Sequence, residues 1–400
     1  MGGYKLEDIV IASAVRSPIG TYGGQFKEMR AVPLGAPVMA EAVRRANIDP
    51  GVIDDIGWGC CYQRITDEVN TGRITAIKAG IPNEVPAFTI QRVCVSAMWA
   101  VATGMLAIRQ GMNSVFLAGG VESMSTVPYT IDKLRWGARM DHVEVRDAMW
   151  DGVTRVGVGP PMGITAENLA VQYNISRKEQ DELAYQSHMK AVAAIGEGRF
   201  KEEIHPIEVP GPRGKNKIVD TDEHPRADTT VEGLAKLKPI FKPDGCVTAG
   251  NASGINDGAS AMIIMRKSRA DELGVKPMAR IIDYSLVGYD PDYMGYSPVP
   301  ATQKLLAKTG MKLEDFGIIE IHEAFAAQYL ACEKGLGLKD RRDIINVNGS
   351  GISLGHPVGG TGVRIMMTSL YEMRRRNIQY GLATLCGGTG LGMAIIMEIP

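Results

Sequence analysis

The 400 residues carry 44 lysines and arginines against 45 aspartates and glutamates, a formal charge of −1, with 22% charged and 45% apolar residues. That is the composition of a globular chain of roughly two to three domains, and it excludes broad electrostatic binding to nucleic acid or to an anionic membrane surface. Forty-seven glycines beside seven phenylalanines point to tight turns, not aromatic stacking platforms.

The opening stretch MGGYKLEDIVIASAVRSP has acidic residues ahead of its apolar run and no signal-peptide pattern. IVIASAV at 9–15 predicts a buried strand, VMAEAVRRANI at 38–48 an amphipathic helix, and Val115–Ala118 another strand after a long helix. This part therefore predicts repeated βα units with a covered sheet. The most apolar segment, 93–108, is shorter than the roughly 20 residues of a membrane span and holds Ser96, Thr103 and Gly104, so no membrane partner is expected. From Ser123 to Asp244 the chain turns rich in Met, Pro and charge, with VPGPRGKNK at 209–217. It predicts an excursion with helices at TAENLAVQY and RKEQDELAYQSHMKAVAAI and no third sheet. Strand signals return at 261–265, 279–283, 317–321 and 343–347.

Six cysteines are too few for a disulfide framework, and Cys60 and Cys61 are adjacent while Cys94, Cys246, Cys332 and Cys386 are scattered. No CxxC pair offers a zinc or thioredoxin-type site, and a reducing cytoplasm is the expected location. The two halves also resemble each other. PAFTI leads to Cys94, a helix and SVFLAGGVESM; DIINV leads to His356, a helix and YGLATLCGGTGLGM. A duplicated α/β domain would bring both helix starts to a common axis.

Four segments could carry chemistry. Cys94 follows a strand and opens an apolar helix, where the positive helix end and free N–H groups favour the thiolate; a buried cysteine can equally be an inert hydrophobe. His356 lies in the glycine-rich NVNGSGISLGHPVGGTGVR, as a general base or as an incidental histidine in an anion loop. Leu354 and Met393 break the two possible GxGxxG dinucleotide patterns, and no Walker motif is present. Cys386 ends a strand before glycines whose N–H groups suit an oxyanion hole. His322 and Glu323 in IEIHEAFAAQ do not form HExxH, so metal binding is disfavoured. Histidines 142, 188, 205 and 224 carry no motif and are read as solvated or structural.

Taken together, VRSPIG (15–20), the Cys94 loop, GGVESMS (119–125), MGITAENLA (162–170), TAGNASGINDGA (248–259), HEAFA, GHPVGGTG and CGGTGLG resemble the thiolase family over nearly the whole chain. The resemblance implies an α/β fold, a five-layered αβαβα core of two duplicated halves with an inserted loop domain. The expected boundaries are 1–122 plus 245–275, 123–244 for the insert, and 276–400. It implies Claisen condensation of two acyl-CoA molecules and the thiolytic reversal, with no metal or redox cofactor and with coenzyme A as a substrate. By this resemblance Cys94 is the acyl-accepting nucleophile, His356 its activating base and Cys386 the residue that moves the α-carbon proton. His322 and His356 serve the enolate oxygen, and the N–H groups of Cys94 and Gly388 a second oxyanion hole. Ser253, Ala249, Arg226 and Phe241 are the CoA-side residues, Met162 and Phe325 those of the acyl pocket. The expected partners are acyl-CoA and CoA, in a homodimer or homotetramer.

Two departures from the family pattern carry expectations. Cys94-Val95-Ser96-Ala97 replaces Cys-Gly-Ser-Gly, which predicts a tighter acyl pocket or helix start. His322 stands where asparagine is commonest, as in some fatty-acid-degrading members, and is expected to hold the oxyanion directly or through water. The segment around Met162 has no long insertion, which favours short substrates such as acetoacetyl-CoA over a broader 3-ketoacyl-CoA range. A non-catalytic carrier is disfavoured by the joint presence of Cys94, His356 and Cys386.

Overall fold

Apolar residues alternate between two faces along almost every strand of this chain, so both faces of its sheet must be covered. The computed structural model describes residues 8–63, 68–140, 142–154, 157–211 and 214–400. Residues 1–7 of the opening stretch and 212–213 within VPGPRGKNK lie outside the described residues. In chain order the principal elements are β1 (Ile9–Arg16), α1 (Ala31–Ala46), β2 (Asp55–Gly59), α2 (Thr71–Lys78), β3 (Ala87–Ile90), α3 (Ser96–Arg109) and β4 (Val115–Ser123). Then come α4 (Met162–Gln172), α5 (Arg177–Gly196), β5 (Asn256–Arg266), β6 (Ala279–Gly288), α6 (Pro298–Thr309) and β7 (Ile318–Ile321). The chain ends with α7 (Ala326–Leu336), α8 (Thr361–Arg376), β8 (Tyr380–Gly387) and β9 (Leu391–Glu398).

The strands lie in the order β7-β8-β9-β6-β1-β5-β4-β2-β3. Cut between β6 and β1, this sheet is one pattern written twice. β2 runs parallel to β4, β4 antiparallel to β5, and β5 antiparallel to β1. In the same way β7 runs parallel to β8, β8 antiparallel to β9, and β9 antiparallel to β6. The halves join where β1 meets β6 antiparallel, Ile9 opposite Ile281, as a two-fold relation requires. One expected strand is reduced: among the described residues DIINV makes one parallel bridge to β7, Ile345 to Ile319, and a local one, Val347 to Gly349. Asn346 has φ +46°, and its side chain bonds both the N–H and the C=O of Ile321, taking the place of the ladder.

Side-chain alternation builds the layers. Phe116 and Ala118 of β4 share a core with α3 and α8, whereas Val115 and Leu117 pack with α1. Met393 and Ile395 of β9 join the same central core, whereas Ala394 and Ile396 pack with α6 and α7. The order is thus α1/α2, one half-sheet, α3 with α8, the other half-sheet, α6/α7: five layers, αβαβα.

Between β4 and β5 the chain forms helices and two short ladders, Tyr129–Thr130 with Arg146–Asp147 and Ile207–Val209 with Lys217–Val219, and among the described residues no further large sheet. Ser176 and Glu179 close a capping box on α5. Residues of α4 and α5 sit in one core with α6 and α7, so the insert rests on the second half rather than standing alone. Buried Arg16 also ties it to β1, bonding Glu203 at 2.6 Å and Asp222 at 2.7 Å. Among the described residues no helix is long and apolar enough to cross a membrane.

Candidate active site

Cys94 sits in the link from β3 to α3, two residues before the helix begins. Val93 is held at φ +51°, a costly conformation for a β-branched residue. Ser96 fixes this turn: its hydroxyl accepts from the Arg92 N–H at 2.8 Å and donates to the Val93 carbonyl at 2.6 Å. Val95 and Ala97 are fully buried in the central core and do not line the cavity beside Cys94. The expected tightening of the acyl pocket therefore does not arise from them.

His356 reaches this thiol from a position 262 residues away, its Nε2 3.1 Å from Cys94 Sγ. The second ring nitrogen determines the tautomer. Nδ1 lies 2.8 Å from the Thr361 hydroxyl, whose own proton goes to the Pro357 carbonyl at 2.9 Å. The hydroxyl can therefore only accept from Nδ1–H, which leaves the Nε2 lone pair facing the sulfur. The His356 N–H donates to Asn256 Oδ1 at 2.9 Å, and Asn256 donates on to the Gly20 carbonyl.

Burial, with the nearby Arg364 charge adding to it, lowers the His356 pKa to about 3. Burial also raises Cys94 to about 11, and this outweighs the opposing N–H groups of Gly388 and Cys94 itself. The helix start expected to favour the thiolate is outweighed by burial, so the thiol and the imidazole are both neutral at rest. Those two N–H groups, directed at the sulfur, are positioned to bind an oxyanion formed on a Cys94 adduct.

His322 is completely buried, its ring centroid 4.3 Å from that of His356, and neither ring nitrogen has a hydrogen-bond partner among the described residues. Burial and then His356 drive its pKa well below the usual value, so it is neutral. The adjacent Glu323 is occupied elsewhere, accepting from Ser187 at 2.6 Å and Asn346 at 2.9 Å. Cys386, near the end of β8, is completely buried and packs with Met162, Met294, Ala324 and Phe325. Burial raises its pKa, and the charge of Cys94 raises it further, which puts the two sulfurs within electrostatic reach. A Cβ on Gly388 would lie 2.6 Å from the terminal methyl of Met162, which would have to move, and 3.1 Å from Val93 Cγ1.

Above these groups opens a cavity of about 870 Å³, far more apolar than polar in its lining. Cys94, His356, Met162, Arg226, Phe241, Ala249, Ser253 and Phe325 all line it; Cys386, His322 and Gly388 lie behind its wall. Phe241 meets Phe325 edge-on at 6.5 Å, and the Ser253 N–H bonds the Ala324 carbonyl at 2.9 Å, tying the GNASG loop to HEAFA. The Arg226 N–H donates to His188 Nδ1 at 3.2 Å. His224, read as solvated or structural, proves to line the cavity. Among the described residues no cluster of three His, Cys, Asp or Glu could hold a metal. Sequence reasoning assigned no role to Thr361, Asn256 or Glu122, although each lies inside a motif already singled out.

The family model "Thiolase, N-terminal domain" matches residues 9–268 and "Thiolase, C-terminal domain" residues 275–399. The chain is 46% identical over 394 residues to an acetyl-CoA acetyltransferase of Syntrophomonas wolfei, covering 98% of this chain and 99% of that one. Its fold is similar to the crystal structure of the Bacillus anthracis acetyl-CoA acetyltransferase, with TM-score 0.95, 48% identity and coverage of 98% and 99%. It is also similar to human mitochondrial 3-ketoacyl-CoA thiolase in complex with CoA, with TM-score 0.94, 40% identity and coverage of 99% and 98%.

Proposed function

Because the chain belongs to the thiolase family, we propose that it is an acetyl-CoA acetyltransferase, joining two acetyl-CoA molecules into acetoacetyl-CoA and CoA and running the thiolytic reverse. As Cys94 Sγ attacks the thioester carbonyl, its proton passes to His356 Nε2. The N–H groups of Cys94 and Gly388 hold the oxyanion, and CoA leaves as a thiolate that takes the proton from His356. One thioester replaces another, so little energy is lost. With CoA gone and His356 neutral again, His356 takes the Cys386 thiol proton, and the second acetyl-CoA gives its α-proton to the resulting thiolate, the enolate oxygen being directed at His322 and His356. The carbanion attacks the acetyl carbonyl, Cys94 departs as a thiolate that takes back the proton held on His356, and Cys386 keeps the α-proton, so both thiols and the neutral imidazole are restored. After burial, the charge of Cys94 is the first cause that raises Cys386.

Arg226, Phe241, Ala249 and Ser253 receive the CoA arm, while Met162 and Phe325 flank the acyl group. CoA enters as substrate and no other cofactor is required. All six cysteines are free, which suits work in a reducing cytoplasm, and the enzyme acts as a homodimer or homotetramer. The observation that best supports this reading is the 3.1 Å contact between Cys94 and a histidine of defined tautomer at the cavity wall. Brief incubation with acetyl-CoA should add about 42 Da to the Cys94 peptide, as a covalent nucleophile requires. Cys94→Ala should abolish thiolysis. Acetoacetyl-CoA should be cleaved faster than octanoyl- or palmitoyl-length ketoacyl-CoA; the reverse order would make the protein a broader 3-ketoacyl-CoA thiolase.

A further inference from the structure

Glu122 is a fully buried carboxylate to which the acyl-transfer steps above give no role. It stands near the end of β4, and both of its oxygens are acceptors. Oε1 accepts from the Tyr62 N–H at 3.0 Å and from the Cys60 thiol at 3.6 Å. Oε2 accepts from the Cys61 N–H at 3.0 Å and from the Gly359 N–H at 2.9 Å. These contacts reach two different loops. One follows β2 and gives Cys61 and Tyr62 to the cavity wall; the other is the His356 loop, from the second half of the fold.

The close packing around Gly359 shows how little freedom this junction has. A Cβ on Gly120 would lie 2.1 Å from the Gly359 carbonyl, and one on Gly59 2.3 Å from it. Backbone approaches this tight carry little attraction of their own, and a carboxylate accepting three backbone N–H groups supplies it.

We propose that Glu122 is a positioning residue for acyl transfer: by bridging the Cys61–Tyr62 loop to Gly359 it sets His356 against Cys94. This rests on the assignment of Cys94 and His356 as nucleophile and base. Because the relay is a single sulfur–nitrogen contact, a shift of the His356 loop by a fraction of its length is felt in rate more than in binding. The titratable groups that face Glu122 are Cys60, Cys61 and Tyr62 from the β2 loop and Cys94 from the start of α3, and its charge raises all four.

The test compares Glu122→Gln and Glu122→Asp with wild type in kcat, KM, the acetyl adduct on Cys94 and the pH dependence of Cys94 alkylation by iodoacetamide. Glu122→Gln puts an NH₂ where two donors already point, and should lower kcat about 10- to 100-fold with KM changed less than about threefold. Removing the charge should also move the alkylation midpoint to lower pH, which loss of packing alone would not do. Glu122→Asp keeps the charge but draws it back by one methylene, so kcat should fall while the midpoint stays. Should Glu122→Gln fail to fold, the aspartate variant decides. Wild-type kcat in a folded Glu122→Asp, or unchanged kcat and midpoint in Glu122→Gln, overturns the proposal. Failure of the wild-type enzyme to form the Cys94 adduct would instead overturn the assignment on which it rests.

Discussion

Thr361→Val removes one oxygen and keeps the side chain's shape, so it isolates the tautomer argument. Thr361 is the first residue of α8 and is completely buried. Its hydroxyl accepts from His356 Nδ1–H and donates to the Pro357 carbonyl. That carbonyl also accepts the N–H groups of Gly360 at 2.9 Å and Thr361 at 3.0 Å, so it stays satisfied in the variant. The loss therefore falls on the imidazole. Either Nδ1–H remains as a buried donor without a partner, at about 1–3 kcal/mol, or the proton moves to Nε2 and confronts the thiol with a second donor. Expressed in the barrier, that range is a slowing of about 5- to 200-fold. The assay is single-turnover acetylation of Cys94, quenched and read by mass spectrometry, with Thr361→Ser as the control that restores the hydroxyl. Acetylation by Thr361→Val at the wild-type rate would refute the claim that Thr361 sets the reactive tautomer.

Other substitutions separate the remaining roles. Cys386→Ala should still form acetyl-Cys94 but lose condensation and the exchange of acetyl-CoA α-protons with deuterated solvent; retained exchange would remove Cys386 from proton transfer. His322→Leu should raise the melting temperature, since two buried unpartnered nitrogens disappear, while lowering condensation. A variant both less stable and equally active would reverse that assignment. His188 is buried, with a pKa lowered to about 4 by burial and then by His224 and Arg226. Between that value and about 6.5 only the unfolded chain binds its proton, so its contribution to stability falls as pH drops through this window. Urea unfolding at about pH 7 and about pH 5 should show His188→Gln losing about 2 kcal/mol less than wild type on acidification; equal losses would place the histidine's titration elsewhere.

Much of this was legible in the sequence because it is local. The apolar runs at 115–118 and 261–265 fall within β4 and β5, each of which extends five residues further at one end, and the apolar run at 93–108 falls on α3. Both reactive segments stand out by glycine content. What was not legible is carried by contacts across the chain. Nothing near Cys94 reveals that desolvation will outweigh two N–H groups at its sulfur, since that depends on the wall supplied by the second half. Thr361 lies five residues past His356 in an open sequence string, and only the turn at Pro357 brings its hydroxyl onto Nδ1. DIINV reads as a strand, yet one left-handed asparagine ends its ladder with β7 after a single bridge. Glu122 looked like one residue of a motif, because its four partners come from loops about 60 and 240 residues away.

Duplication explains why the two reactive residues meet, and it names the position on which the meeting depends. Cys94 precedes α3, His356 precedes α8, and the two helices occupy equivalent places in the repeated halves. They cross in the central layer at Gly362, where a Cβ would lie 2.4 Å from the Met98 N and 2.8 Å from its Cβ. Gly362 has ordinary helical backbone, so substitution there tests packing alone. Gly362→Ala gains helix propensity of about 1 kcal/mol, which by itself would stabilise α8. The collision with backbone cannot be relieved by turning a side chain, and overpacking of this kind costs about 1–3 kcal/mol or more. The helices must separate, and the 3.1 Å sulfur–nitrogen contact lengthens with them. Gly362→Ala should therefore melt at lower temperature and acetylate Cys94 more slowly while still binding CoA. A variant as stable and as reactive as wild type would show that the helix crossing does not set the distance between nucleophile and base.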